Sequence, residues 1–372
     1  MPASSSRLIL LCAGGTGGHL FPAEALAHEL GSRGLTVHLA TDERAGRFAG
    51  HFPAAEIHVV PSATFGSKNP LAVARSALTL WKGFRTAKAL IARLRPDVVV
   101  GFGGYPTVPP LLAASRAGLS TMVQEQNAVM GRANRFLARR VDRVAAGFPQ
   151  EKVEPAVAGK IVVTGNPVRQ AAVEAARVPY QPSREGEPFR LLVFGGSQGA
   201  RFFSDRMPQA VAKLPDCLRS RLRIVQQARP EDEERVKASY GELGVAAEVS
   251  PFFSDMPARI AAAHLVVSRS GASTVQELSI IGRPALLVPL PHALDDDQGH
   301  NAQVLVDAGG AVMRRQPTID AGSLANDIAA LAGDPDRLAG MAAAAKGAGR
   351  PDATQLLADL VASMPGRTTA KP

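Results

Sequence analysis

Cysteine is nearly missing: Cys12 and Cys217 are the only two in 372 residues. That excludes a disulfide scaffold and any cysteine-rich zinc site, and it suits a reducing cytoplasm. Aromatic residues make up only 5%, with Trp81 the sole tryptophan. A basic surface interleaved with aromatics, as single-stranded nucleic acid requires, cannot be built from so few, so no nucleic-acid partner is expected. No apolar run approaches the ~20 residues of a membrane-spanning helix. Acidic residues are absent from Ile57 to Pro96, a stretch that holds Lys68, Arg75, Lys82, Arg85, Lys88, Arg93 and Arg95.

What is present points to folded domains. Hydrophobic residues make up 46% and charged residues 20%, a balance that builds cores and excludes disorder as the main state. At roughly 150 residues per domain the length suits two. Residues 1–165 hold 19 Lys and Arg against 10 Asp and Glu, while the remainder holds 23 of each. The excess positive charge therefore lies wholly in the N-terminal half, which suggests a polyanion, an anionic membrane surface or a phosphorylated substrate. The apolar stretch Leu8–Ala13 runs straight into glycines with no cleavage site, and reads as a buried strand instead of a signal peptide.

Short β-type runs alternate with helical stretches along the whole chain. In the first half the strands fall near Arg7–Ala13, Thr36–Thr41, Glu56–Val60, Asp97–Gly101, Thr121–Gln124, Arg143–Ala146 and Ile161–Thr164. Helices are expected over Pro22–Leu30, Leu71–Leu94, Thr107–Ala117 and Arg132–Arg139. The second half offers strands at Arg190–Phe194, Arg223–Gln226, Leu265–Ser268, Ala285–Val288 and Ala311–Arg314. This alternation predicts parallel sheets covered on both faces by helices. The Pro-, Ser- and Glu-rich segment Val178–Pro188 reads as a surface connection. The halves also echo one another: a slide of 181 residues lays Gly14 on Gly195, Gly15 on Gly196, Thr16 on Ser197 and Gly18 on Gly199. Two Rossmann-like domains facing across a cleft are the expected architecture, with ligands at the carboxyl ends of the strands. The expected bounds are 1–165 for the first domain and 166–349 for the second. A last helix near 350–364 packs back on the first domain, and 365–372 forms a disordered tail.

Three loops carry chemistry. Gly14-Gly15-Thr16-Gly17-Gly18-His19 lets a ligand approach bare backbone, and the following helix start favours an anion. His19 sits there as a base or as a hydrogen-bond donor to a phosphate. The Walker lysine is absent, so this is not a P-loop. Gly195-Gly196-Ser197-Gln198-Gly199-Ala200 offers the same geometry with Ser197 and Gln198 as donors. It departs from G-x-G-x-x-G, which argues against a dinucleotide oxidoreductase. In the run Ser268–Glu277, Ser273 or Thr274 can cap a helix, and Glu277 either completes a capping box or accepts both hydroxyls of a ribose. Asp295-Asp296-Asp297 lack partners at metal-ligand spacing and read as mostly solvated, with Gln298 the better ligand.

Taken together these motifs resemble the MurG family of bacterial peptidoglycan glycosyltransferases over nearly the whole chain. The resemblance rests on GGTGGH at 14–19, GFGGY at 101–105, EQN at 125–127 and GNPVR at 165–169. It continues through GGSQGA at 195–200, RSGAST at 269–274 with Glu277, and Gln298 with Asn301-Ala302. It implies an α/β GT-B fold and transfer of GlcNAc from UDP-GlcNAc to the C4 hydroxyl of MurNAc in lipid I. The products would be lipid II and UDP, formed by an inverting single displacement with no metal and no cofactor. Carried over by motif, Thr16, Gly17, Gly18, Asn127, Arg169, Ser197, Phe253 and Gln298 contact the donor, as do Ala272, Ser273, Thr274, Val275, Gln276 and Glu277. His19 and Glu125 fall at positions that matter for catalysis, and both are candidates for the base; the neutral-range pKa of imidazole slightly favours His19. The chain departs from the family at Gln124, where a histidine is frequent, so no role of that histidine transfers.

An acceptor on a polyprenyl chain stays in the bilayer, so the enzyme is expected at the cytoplasmic face of the bacterial membrane as a peripheral protein. Leu78, Trp81, Lys82, Phe84, Arg85 and Lys88 form the expected membrane-facing surface. The rival readings are another UDP-sugar transferase or epimerase, and a non-catalytic binder of an anionic polymer.

Overall fold

The computed structural model describes residues 7–14, 17–43, 52–63, 69–150, 153–196 and 199–366. The chain divides into two compact units, one formed by 1–169 with 352–372 and the other by 170–351. Thr16, Ser197 and Gln198, together with the tail beyond 366, lie outside the described residues.

The first unit is built on seven parallel strands. They are β1 (Leu8–Cys12), β2 (Thr36–Thr41), β3 (Glu56–Val59), β4 (Val98–Gly101), β5 (Ser120–Glu125), β6 (Arg143–Ala146) and β7 (Ile161–Val163), arranged β3-β2-β1-β4-β5-β6-β7. The central strands are apolar throughout because helices cover both faces. Leu10 and Cys12 pack on one side with Val99 and Leu111, while Ile9 and Leu11 pack on the other with Leu26 and Val100. The helices that position the site are α1 (Gly17–Ser32), α2 (Pro70–Leu94), α3 (Val108–Arg116) and α4 (Arg132–Ala138). The C-terminal helix Ala353–Ser363 buries Leu357, Ala358 and Val361 in the same core as Leu26 and Leu30 of α1. Arg33 at the end of α1 bonds Asp359 at 2.6 Å, and Arg7 donates to the carbonyls of Ala362 and Met364 at 2.7 Å each. Ser120 Oγ in turn donates to the Pro365 carbonyl at 2.7 Å.

The second unit carries six parallel strands: β8 (Phe189–Phe194), β9 (Leu222–Gln227), β10 (Ala246–Ser250), β11 (Leu265–Ser268), β12 (Ala285–Leu287) and β13 (Ala311–Met313). Their order is β10-β9-β8-β11-β12-β13. Strand β10 is the one element of this sheet without a counterpart in the sequence reading. It reads Ala-Ala-Glu-Val-Ser and lies at the sheet edge with only Val249 fully buried, so no hydrophobic run announces it. The segment Val178–Pro188 lies inside this unit, and the crossing between units falls at Arg169–Gln170. The buried guanidinium of Arg283 donates to the carbonyls of Val178, Ala261, Ile281 and Gly282, tying the segment to two helix ends. Helix α1 begins five residues before the expected Pro22, which sits inside it. As the sixth helical residue, Pro22 lacks the N–H that would bond the Gly18 carbonyl, so α1 forgoes one hydrogen bond near its start.

Candidate active site

In each unit the strand order reverses once, between β1 and β4 and between β8 and β11, and loops diverge there to leave a crevice. Cys12 pairs with Gly101, and Ser268 pairs with Phe194. The glycine-rich loop after each first strand is thereby set beside the loop after its neighbour.

In the first unit that crevice holds His19, in the first turn of α1. Gly103 and Gly104 follow β4 with φ of 87° and 73°, in the left-handed region that favours glycine. A Cβ on either would stand 3.3–3.4 Å from the His19 ring, so the two glycines form one wall of its pocket. The His19 Nδ1 lies 3.1 Å from Gln126 Oε1. Gln126 Nε2 donates to the Phe102 carbonyl at 2.8 Å, which fixes the amide with its oxygen toward the imidazole. Burial pushes the His19 pKa below the usual imidazole value, against the opposing pull of Gln126 and the Phe102 carbonyl. Burial thus disfavours the charged ring, and the Gln126 oxygen favours a proton on Nδ1.

Glu125, at the end of β5, is buried. Its Oε1 accepts from the Asn127 backbone at 2.9 Å and from Asn127 Nδ2 at 3.3 Å. Its Oε2 accepts from Gly131 N at 2.9 Å and from Asn134 Nδ2 at 2.8 Å. Burial raises the carboxyl pKa, and these four donors act in the opposite direction. Both oxygens therefore brace the loop that opens α4, and Asn127 is held as part of that brace. The guanidinium of Arg169 lies 5.5 Å from the ring of Phe21 on α1.

In the second unit, Gly195 has no room for a side chain, because a Cβ would stand 2.4 Å from Ala200 N. Its N–H donates to Gln227 Oε1 at 3.2 Å. The helix after β11 spans Ala272–Ile281 and is capped by Gly271 without a side-chain bond. This corrects the capping expected from Ser273 or Thr274: both lie in the first turn, and Glu277 is too far along for a capping box. Ser273 and Thr274 are half-buried, while Ala272, Val275, Gln276 and Glu277 are buried. Gln298 serves partly as a brace, since its Oε1 accepts from Ser270 N at 3.3 Å and Leu290 N at 3.0 Å. Of the three consecutive acids only Asp295 is exposed. Asp296 pairs with Arg315 at 2.6 Å, and Asp297 accepts from Gln298 N at 2.8 Å. Phe253 is buried beneath the Arg259 guanidinium at 4.2 Å, whereas Phe252 beside it is 71% exposed.

Residues that motif reading left unassigned do much of the positioning. Arg269 donates to the carbonyls of Val288 and Pro289 at 3.0 Å and to Gln316 Oε1 at 2.6 Å. Burial pulls its pKa down to about 10. Gln126, Asn134 and Asn166 are likewise buried and bonded. Their only sequence signal was membership of, or closeness to, the quoted motifs.

Among the described residues, His38, Glu56 and His58 group as potential metal ligands. The two imidazoles lie in line, with ring centroids 5.3 Å apart and His38 Nδ1 only 3.0 Å from His58 Nε2. Lone pairs that meet head-on share a proton and do not converge on an ion. Arg93 approaches the other nitrogen of His58 at 3.4 Å.

Helix α2 exposes Leu71, Val73, Leu78 and Trp81, the last with 53% of its surface, beside exposed Lys82, Arg85 and Lys88. The Arg85 guanidinium stands 4.9 Å from the Trp81 ring. Half-buried Phe84 lines, with Trp81, Tyr105, Leu112 and Phe136, a groove of about 630 Å³ that also touches Arg116 and Arg132. No described helix is long and apolar enough to cross a membrane.

Two Rossmann-like parallel-sheet units with glycine-rich turns at the reversal points are the building blocks of the GT-B fold. The N-terminal domain of glycosyltransferase family 28 matches residues 9–146, and the C-terminal domain of that family matches residues 190–357. A relative from Mesorhizobium japonicum is 62% identical over 363 residues, covering 97% of this chain and 96% of its own length. One from Chelativorans is 63% identical over 356 residues, covering 96% and 95%. Both are named UDP-N-acetylglucosamine–N-acetylmuramyl-(pentapeptide) pyrophosphoryl-undecaprenol N-acetylglucosamine transferase. The crystal structure of MurG from Acinetobacter baumannii superposes with a TM-score of 0.79 at 30% identity, covering 96% of this chain and all of the other. The chain belongs to the MurG family of glycosyltransferases.

Proposed function

We propose that the protein transfers N-acetylglucosamine from UDP-N-acetylglucosamine to the C4 hydroxyl of N-acetylmuramic acid in lipid I, yielding lipid II and UDP. The observation that carries this reading is identity above 60% over nearly the full length with relatives named for that transfer. The neutral imidazole of His19 supplies the chemistry. As the C4 oxygen bonds to the anomeric carbon, the bond from that carbon to the diphosphate breaks and the hydroxyl proton passes to His19 Nε2. The anomeric centre inverts in this single step. Glu125, saturated with donors, holds the loop that carries Asn127 and does not take the proton.

The diphosphate would meet the first-turn N–H groups of Ala272, Ser273 and Thr274, where the helix dipole favours negative charge and no metal is needed. Val275 and Gln276 complete that turn, and Glu277 accepts the ribose hydroxyls. The uracil would lie along the turn at Phe253, with the amide nitrogen of Gln298 and the hydroxyl of Ser197 as further donors. Thr16, Gly17, Gly18, Asn127 and Arg169 are further donor contacts that the family resemblance implies.

The exposed apolar and cationic face of α2 supports peripheral binding to an anionic bilayer at the cytoplasmic face, where the polyprenyl acceptor resides. The decisive assay combines UDP-N-acetylglucosamine with a short-chain lipid I analogue in excess chelator. Acceptor-dependent release of UDP and a disaccharide product are expected. Release of UDP without acceptor, or activity restored only by a divalent metal, would overturn the reading.

A further inference from the structure

Three buried amides stand behind His19, and each one dictates the orientation of the next. Asn166 Nδ2 donates to the main-chain carbonyl of Gln126 at 2.7 Å, an atom that can only accept. The other end of that amide, Asn166 Oδ1, must then receive a donor, and Gln124 Nε2 supplies it at 2.7 Å. Gln124 Oε1 is thereby turned toward Gln126 Nε2, which donates to it and to the Phe102 carbonyl. Only Gln126 Oε1 is left to face the imidazole, at 3.1 Å. All three side chains are almost fully buried, so no water competes to flip them. Asn166 fits because residue 147 is glycine; a Cβ there would overlap its amide.

We propose that Gln126 is a positioning residue for sugar transfer: through the Gln124–Asn166 relay it holds His19 with its proton on Nδ1 and Nε2 open to the acceptor hydroxyl. The inference rests on the reading of His19 as the base. An amide chain is suited to this task because none of its groups titrates. It selects a tautomer without adding a charge that would stabilise the imidazolium, as a carboxylate in the same place would. A relay ending the other way round, with the Gln126 amide nitrogen toward the ring, would force the lone pair onto Nδ1 and leave Nε2 protonated and unable to act as base.

The test reads tautomer and rate separately. In protein labelled with 15N at the histidine rings, the His19 nitrogen shifts are expected to report a proton on Nδ1 at pH 7.5. Gln126→Met should release that preference and lower kcat by about 100-fold or more, with the KM for UDP-N-acetylglucosamine little changed. Gln126→Glu keeps the shape and adds a charge, so the acid limb of the kcat–pH profile should move upward by about 1 to 3 pH units. A wild-type His19 protonated on Nε2, or a tautomer unmoved by Gln126→Met, would overturn the relay. If the ring pKa rises in Gln126→Glu while the kcat limb stays in place, the relay stands and the base assignment of His19 fails, and its catalytic purpose fails with it. The wild-type spectrum needs no variant, so poor folding of either substitution leaves the proposal open to refutation.

Discussion

Asn134 Nδ2 donates to Glu125 Oε2 at 2.8 Å, and this bond joins the first turn of α4 to the end of β5. The Gly131 N–H reaches the same oxygen at 2.9 Å. The carboxylate therefore acts as the anchor of a loop.

That role predicts how Glu125→Gln behaves. The amide nitrogen would point at least one donor toward another donor, losing one or two charge-assisted bonds worth about 1.5–3 kcal/mol each. Denaturant titration should show a drop of that order, accompanied by lower kcat. The acid limb of the pH–rate profile should stay where the wild type has it. A limb that disappears in Glu125→Gln would make Glu125 the base.

His264 predicts a pH dependence of stability. Burial lowers its pKa to about 4, and its Nδ1 accepts from Arg190 N at 3.0 Å. The unfolded chain binds the proton more readily, so stability is lost as pH falls from about 6.5 through 4. The loss amounts to about 3 kcal/mol across that window. His264→Asn keeps an acceptor but cannot charge, and should flatten this part of the stability curve. An unchanged slope in the variant would reject the assignment.

Glu277 is buried in a helix whose cap is Gly271, so a capping box does not account for it. Removing a charged acceptor for the ribose costs about 1.5–3 kcal/mol of binding. UDP-N-acetylglucosamine should therefore raise the melting temperature of Glu277→Ala much less than that of the wild type. Equal ligand-induced shifts in both proteins would dismiss the ribose role.

Trp81 is the only tryptophan, and it is half-exposed on the cationic face of α2. Its fluorescence should shift to the blue with anionic vesicles at low salt and stay unchanged with neutral ones. Each cation contributes about 1 kcal/mol near such a surface. The triple variant Lys82→Gln, Arg85→Gln, Lys88→Gln should weaken vesicle binding while retaining affinity for UDP-N-acetylglucosamine. Vesicle binding that persists in the triple variant would assign the membrane surface elsewhere.

The amino-acid sequence by itself determined the alternation of strands and helices, the two glycine-rich turns and the family. Those signals are local: apolar runs of strand length, glycines where backbone must be bare, and the spacing of short motifs. It also located His19 and Glu125, because both lie inside such motifs. Only the tertiary structure showed what surrounds them. Asn166, Phe102 and His19 stand 40, 24 and 107 residues from Gln126 in sequence, yet all three meet its side chain or backbone. The edge strand β10 and the Gly271 cap follow the same logic. A short polar segment becomes a strand only where a sheet edge is waiting for its hydrogen bonds. A helix starts where neighbouring loops leave its N–H groups free, and neither condition is written in the residues themselves.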